Sequence, residues 1–212
     1  MGKIQIGILG GFQGKVGTVV GATWRGEDII RAKPRKRTDN PTEQQMLQRI
    51  KFKAVSRFLN PLRDILGRYY GNSDGVKSRY NLATSYHLTD AVEVTGEVGE
   101  MLYPRVMVAL GNLVGLQNPV AVAAQTAITV TWEDNAALGN AQAADTVTLV
   151  FYSVAEHLYF IYENIVLREA LTAEVTLPEN LLGTAVEGYV FVYDAKTKRA
   201  SNSVYLGSIS LA

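Results

Sequence analysis

A glycine-rich stretch near the start of the chain carries the residue types that hold phosphate groups in nucleotide-binding loops. This stretch, GILGGFQGKVGTVVG at residues 7–21, contains six glycines and a Gly-Lys pair. A P-loop needs four residues between its first glycine and Gly-Lys, and then Ser or Thr. Here three residues separate Gly10 from Gly14, and Val16 stands in place of the magnesium-binding hydroxyl. The chain also lacks the G-x-G-x-x-G pattern, so we predict no nucleotide site and no cofactor.

Side chains suited to nucleophilic, acid–base or metal chemistry are sparse. The chain has no cysteine and two histidines, His87 and His157, which lie in different halves of the sequence. These counts exclude thiolate chemistry and argue against a zinc site. Because Ser153 and Glu156 lie close to His157, a hydrolase triad is one interpretation. We favour a solitary histidine beside a turn, and we predict no catalytic residue and no metal ligand.

Basic residues are concentrated at the start of the chain. Residues 1–80 hold sixteen Lys/Arg and six Asp/Glu, a net charge of +10, whereas residues 81–212 hold five and fourteen, a net charge of −9. Three interpretations fit this asymmetry. The basic half binds nucleic acid, it binds the acidic half of another copy, or both halves are simply solvated surfaces of opposite charge. Three tyrosines, Tyr69, Tyr70 and Tyr80, lie among basic residues and offer rings for stacking on bases. The proposed contact residues for nucleic acid or an acidic partner are Lys33, Arg35, Lys36, Arg37, Lys53 and Arg57.

An extended arm, residues 1–39, must position the glycines. Its Val and Thr content predicts a hairpin with strands at 16–24 and 29–32. Glycine is then required for backbone reasons, namely positive φ at turns and close approach of a neighbouring chain. The arm is too short to form a core, so it packs on its own sandwich or on another copy. The proposed assembly residues are Gly10, Gly11, Gly14, Gly17, Gly21 and Trp24.

The clearest helix spans residues 40–70. Asn40 is a suitable N-cap, Pro41 fits the first helical position, and Glu43 stands where a capping box places its carboxylate. An Asn-Pro pair at residues 60–61 predicts a kink or a short break, because proline lacks a backbone donor. Apolar residues recur every three or four positions along one stripe, namely Leu47, Ile50, Ala54, Phe58, Leu62 and Ile65.

A loop and a strand are predicted for residues 71–112. The run MLYPRVMVAL, residues 101–110, favours a strand with Pro104 at an edge or a bulge. The run SYHLTDAVEV, residues 85–94, fits either a short helix or a strand. Together with the arm and the helix, these residues complete a basic N-terminal region, which we predict to span residues 1–112.

Short apolar runs separated by turn residues fill the acidic region, residues 113–212. About seven strands in about a hundred residues is typical of an antiparallel β-sandwich. The run EGYVFVYD is apolar on both faces, which predicts a central strand. The fold class that we predict is mainly β with one prominent helix. The predicted strands are PVAVAA, AITVTWE, TVTLVFYS, HLYFIYE, LTAEVTLP, EGYVFVYD and SNSVYLGSISL.

Two resemblances extend this interpretation. The segments ITVTWED, LTAEVTLP and YVFVYDAKTKRASNSVYLG resemble those of a fibronectin type III or related immunoglobulin-like module, which implies that fold for residues 113–212. The segments KIQIGILGGFQGKVGTVVGATWRG, KFKAVSRFLNPL, SYHLTDAV and SNSVYLGSISL resemble a Bacteroidetes family that is known only as a domain of unknown function. That family has a glycine-rich start, a helix and a β-sandwich end, and the resemblance implies no activity.

A structural role fits these features best. We predict a non-enzymatic protein that self-assembles head to tail into a homo-oligomer, a filament or a particle, such as a virion or tail-like subunit. The alternative is a nucleic-acid-binding protein that uses the basic half, also within a particle, and an enzyme built on His157 is the third hypothesis. We expect no small-molecule substrate and no membrane insertion, because no run reaches the roughly 18 apolar residues of a membrane helix.

The start of the sequence also bears on location. Glycines, Gln13 and Lys15 interrupt the apolar run of the N-terminus, and no cleavage site of small residues follows it. This pattern differs from that of a signal peptide and predicts synthesis in the cytoplasm. Release of the protein from the cell, or its assembly into an extracellular particle or filament, is the alternative.

Overall fold

Two compact units make up the protein. The computed structural model describes residues 2–3, 12–24, 26–34, 40–72 and 77–211. The N-terminal unit is Met1–Thr42 and the C-terminal unit is Glu43–Ala212. The sequence predicts a division after residue 112, whereas the contacts divide the chain after Thr42.

A four-stranded antiparallel sheet forms the described part of the N-terminal unit. The strands follow the spatial order β1-β4-β3-β2. Their bounds are β1 Gly2–Lys3, β2 Gly14–Val16, β3 Val19–Trp24 and β4 Glu27–Ala32. The predicted hairpin is therefore present as β3 and β4. Its first predicted strand, residues 16–24, is itself divided by a turn at residues 17–18.

Three helices begin the C-terminal unit. Helix α1 is Glu43–Leu59, α2 is Arg63–Tyr69 and α3 is Arg79–Asp90. A 3-10 turn, Asn60–Leu62, separates α1 from α2, so the break predicted at the Asn-Pro pair is confirmed. Ser78 caps α3, because its side chain accepts a hydrogen bond from the backbone N–H of Asn81.

The strand predicted at residues 101–110 is wrong. A hairpin of β5, Val92–Thr95, and β6, Val98–Met101, ends where that strand was expected to begin. It is followed by a 3-10 turn, Tyr103–Arg105, with Pro104 near its start. Proline suits this position because it has a fixed φ and no backbone donor to leave unpaired.

Two antiparallel sheets form the sandwich-like remainder of the C-terminal unit. One sheet has the order β11-β8-β7, and the other has the order β10-β9-β12, with β13 and β14 both paired to β12. All seven strands predicted from the apolar runs are present. Their bounds, with the additional short β13, are β7 Gln117–Ala124, β8 Ala127–Glu133, β9 Thr146–Ser153, β10 Leu158–Leu167, β11 Thr172–Thr176, β12 Ala185–Asp194, β13 Arg199–Ala200 and β14 Val204–Ser210.

The two faces of β12 lie in different cores. Val190 and Val192 join Trp132 of the opposite sheet in a core between the sheets. Tyr189 and Phe191 point the other way and pack with the helices. This second core explains why residues 43–112 belong to the same compact unit as the sandwich, and it confirms that β12 is central.

An arginine–carboxylate pair is buried in this unit. The guanidinium Nη2 of Arg168 lies 3.0 Å from Oδ2 of Asp145, and the side chains are 0% and 1% exposed. The Nε of Arg168 also donates to Asp145, and Nη1 donates to Asn135 and to the carbonyl of Gly115. The Nη2 donates to the carbonyl of Val114 as well. Every donor of the guanidinium is therefore satisfied, as a buried charge requires.

Candidate assembly site

Three of the predicted assembly glycines, Gly14, Gly17 and Gly21, lie in the described sheet of the N-terminal unit. Gly14 of β2 lies opposite Gly21 of β3, which in turn lies opposite Ile30 of β4. Gly17 starts the turn between β2 and β3 with a φ of +57°, and Gly14 has a φ of +108°. Both angles fall in the region that favours glycine, so these two positions meet the expected backbone need.

Close approach of backbone occurs at Gly21. A Cβ added there would lie 2.1 Å from the carbonyl oxygen of Phe12 and 2.7 Å from two atoms of its ring. The neighbour that requires glycine is therefore a residue of the same chain, whereas the sequence suggested a neighbouring chain. Phe12 was missed by the sequence analysis, although an aromatic residue inside a glycine run is a signal for such packing.

Apolar side chains of this sheet are open to solvent. Val16 of β2 is 61% exposed and Trp24 at the end of β3 is 49% exposed. Among residues 12–24 and 26–34, Gly21 and Ile29 are the residues that count as buried. A sheet with so little of its surface buried is marginal by itself, and exposed apolar residues mark contact surfaces.

The edge strand β2 completes the candidate site. Within the described residues β2 pairs with β3 alone, and Gly14, Lys15 and Val16 are all exposed. Such an edge presents unpaired backbone N–H and C=O groups, which can template a further strand. The site thus combines an open edge with exposed apolar side chains, which is the chemistry of strand addition.

The predicted basic contact residues lie in both units. Lys33 follows β4 and is exposed, while its backbone N–H donates to the carbonyl of Thr18. Lys53 and Arg57 are exposed on α1, one helical turn apart. The remaining predicted residues, Gly10, Gly11, Arg35, Lys36 and Arg37, lie outside the described residues.

The tyrosines expected to stack on bases are not open for it. Tyr69 is 4% exposed and Tyr70 is 1% exposed, and both belong to the core beneath the helices. Tyr80 is partly buried, with the guanidinium of Arg63 over its ring and its hydroxyl donating to Asn60. Tyr69 follows Ile65 by four residues on the apolar stripe, and this spacing was the signal that it packs in the core.

The two histidines have separate surroundings. Nδ1 of His157 lies 3.0 Å from the hydroxyl of Tyr152, whereas the hydroxyl of Ser153 accepts from the backbone N–H of Glu156. The residues considered for a triad therefore have different partners. His87 is fully buried, and burial lowers the pKa of its imidazole, although a hydrogen bond to the carbonyl of Ala83 opposes this shift.

The described residues form neither a metal site nor a membrane-spanning helix. Across these ranges no three His, Asp or Glu side chains are grouped so that they could hold a metal ion. The helices α1, α2 and α3 are all too short or too polar to span a bilayer.

Comparison with protein-family models identifies the family of this chain. The sequence model of the Family of unknown function (DUF6266) matches residues 11–207, so the chain belongs to this family. No curated protein matches the chain. The expected family of unknown function is confirmed, while the Bacteroidetes origin stays a prediction.

Proposed function

We propose that this protein is a non-enzymatic structural subunit that self-assembles through its N-terminal sheet. The edge of β2, which pairs with β3 alone in the part of the chain that the structure describes, is the observation that carries the proposal. A homo-oligomer, a filament or a particle, including a virion or tail-like structure, is the product that we infer. The partner is a second copy of the same chain.

Exposed side chains beside the edge favour this partner. A strand added at β2 would place side chains beside Val16, which is 61% exposed, and would remove part of it from water. Burial of a valine side chain contributes about 1.5–3 kcal/mol. Backbone hydrogen bonds to β2 orient the added strand, and burial of Val16 contributes to the affinity.

Opposite charges in the two halves of the chain favour a head-to-tail arrangement. Residues 1–80 have a net charge of +10 and residues 81–212 a net charge of −9. A contact between unlike halves uses a different surface on each copy, and such contacts extend into filaments or close into rings. Electrostatic attraction of this kind weakens as salt is added.

A matched pair of valine substitutions tests the proposal. Val16→Asp places a carboxylate in β2, and Val98→Asp places the same group in β6, where the valine is 59% exposed compared with 61% for Val16. We expect Val16→Asp to raise the dissociation constant of the assembly at least about tenfold, because the apolar burial is lost and a charge is desolvated. Val98→Asp should leave it unchanged. Sedimentation velocity measures both.

Two results would contradict the proposal. The first is a wild-type protein that stays monomeric at every concentration accessible to the experiment. The second is equal loss of assembly in both variants, which would assign the effect to added negative charge and not to the edge of β2.

Nucleic-acid binding by the basic half is the second candidate. It is favoured by the placement of Lys53 and Arg57 on one exposed face of α1, where neither has an ion-pair partner among the described residues. Two cations one turn apart can contact successive phosphates, and such binding depends strongly on salt. No retention of DNA or RNA on a filter at low salt would exclude this function.

A further inference from the structure

A cleft of about 450 Å³ lies in the C-terminal unit, and its lining includes Tyr69, one of the tyrosines that the sequence singled out. Four cationic side chains line it, namely Arg68 of α2, Arg79 at the start of α3, and Lys198 and Arg199 of the β12–β13 hairpin. These residues are separated by up to 131 positions in sequence. The volume is within the range of sites for small ligands or for part of a larger one.

Backbone contacts fix the segments that form the cleft. The N–H of Gly71 donates to the carbonyl of Leu110 at 2.6 Å, and the N–H of Leu110 donates to the carbonyl of Tyr69 at 3.1 Å. A Cβ on Gly111 would lie 2.0 Å from the carbonyl oxygen of Ala200, so the hairpin lies directly against this segment. The cleft is therefore built from three packed segments.

The hairpin that carries two of the cations is itself held in place. The carboxylate of Asp194 accepts from the backbone N–H of Lys196 at 2.9 Å and from the hydroxyl of Thr197. The bond from Thr197 lowers the pKa of this carboxyl, which keeps it ionised and able to accept both bonds. The loop is thus ordered before a ligand arrives, which reduces the entropy lost on binding.

Positive charge exceeds negative charge in this cleft. Arg68 Nη2 lies 2.7 Å from Oε1 of Glu163, and a nitrogen of Arg79 donates to the carbonyl of Arg68. Lys198 and Arg199 are exposed and have no ion-pair partner in the described ranges. The described lining holds four cations and no carboxylate, although Glu163 and Asp64 lie near Arg68 and Asp194 lies in the hairpin. This surplus of positive charge in the lining favours an anion with several acceptor oxygens.

Aromatic surface for stacking is missing from the described lining of the cleft. Tyr69 is the aromatic residue of the lining, and it is 4% exposed with the guanidinium of Arg68 over its ring. Recognition of a base needs an open ring, whereas recognition of a phosphate needs cations and N–H donors. The chemistry of the lining favours phosphate.

We propose that this cleft binds a phosphate group through Arg79, Lys198 and Arg199. The phosphate belongs to a small phosphorylated molecule or to the backbone of a nucleic acid, which share the chemistry that the cleft recognises. The site does not depend on the proposed assembly, because its residues lie in the C-terminal unit and the β2 edge lies in the N-terminal unit.

Two titrations with a matched pair of variants test the site. Calorimetry with pyrophosphate measures binding of a free phosphate group, and fluorescence anisotropy with labelled single-stranded DNA of mixed sequence measures binding of a backbone. Lys198→Gln/Arg199→Gln removes two cations from the cleft, and the control variant Arg31→Gln/Arg105→Gln removes two that lie outside it. All four side chains are exposed, and unchanged circular dichroism checks the fold of both variants.

The affinity for pyrophosphate should fall at least about tenfold in the cleft variant, because charge-assisted hydrogen bonds are lost, and should stay unchanged in the control variant. If DNA also binds more weakly to the cleft variant, the phosphate that the cleft recognises belongs to a nucleic acid. If DNA binding is absent, or is equally strong in the wild type and the cleft variant, the phosphate belongs to a small phosphorylated molecule. No binding of pyrophosphate to the wild type, or equal affinity in the cleft variant, would overturn the proposal.

Discussion

Gly21→Ala is the perturbation that most directly probes the N-terminal sheet. The new methyl group would lie 2.1 Å from the carbonyl oxygen of Phe12, whereas ordinary contact begins at 3.4 Å. Phe12 must therefore withdraw by about 1.3 Å, or β3 must shift by a similar amount. Overpacking of this kind costs typically about 1–3 kcal/mol. That range corresponds to about a 5- to 150-fold change in the equilibrium between closed and open sheet.

Hydrogen exchange followed by mass spectrometry measures this change segment by segment. We expect amides of β3 and β4 to exchange about 5- to 150-fold faster in Gly21→Ala, while amides of β9 and β12 keep their protection, since these strands belong to the other unit. Gly67→Ala is the control, because it adds the same methyl group to α2 where nothing lies within 4 Å. Unchanged protection of β3 and β4 in Gly21→Ala would refute the packing of Phe12 on Gly21.

Two further predictions concern buried polar groups in the C-terminal unit. Arg168→Met leaves Asp145 buried without its cation and should lower the free energy of unfolding by about 3–5 kcal/mol, measured by urea denaturation; a loss below about 1 kcal/mol contradicts this. Burial lowers the pKa of His87 below 6.5, so the unfolded chain binds the proton more readily. Stability should therefore fall as pH drops below about 6.5, and His87→Gln should lack this slope in thermal melts.

The sandwich strands could be predicted from sequence because their signal is local. Alternating apolar residues between turn residues are a property of each strand by itself, and β9 has the bounds of the run TVTLVFYS. The break between α1 and α2 was equally accessible, since proline acts on its own turn. The run at residues 85–94 stayed ambiguous because it spans the end of α3 and the start of β5.

The remaining features depend on contacts between distant parts of the chain. The run at residues 101–110 is apolar enough for a strand, but its residues Val106 and Val108 pack in the core beneath the helices without ladder partners from a strand. The division into units was missed for the same reason, because the second core is formed by helices and strands about a hundred residues apart.

The cleft for which we propose phosphate binding was missed because Arg79 and Arg199 come to line one cleft only in the folded chain. Its local signals were Tyr69 among basic residues and the run KTKR at residues 196–199, which places three cations in a turn of an otherwise acidic region. At the assembly site the sequence indicated which glycines matter. It could not indicate that Phe12 covers Gly21, since that contact depends on how the chain enters β2.

Self-assembly through the edge of β2 is the central claim, and the mass of the protein in solution tests it most directly. Sedimentation velocity of the wild type and of Val16→Asp, over a wide range of concentrations, separates the 23.2 kDa monomer from its multiples. We predict that the wild type forms oligomers and that the oligomeric fraction increases with protein concentration. Val16→Asp should need a higher concentration to reach the same oligomeric fraction. A wild type that sediments at the monomer mass throughout would contradict the account.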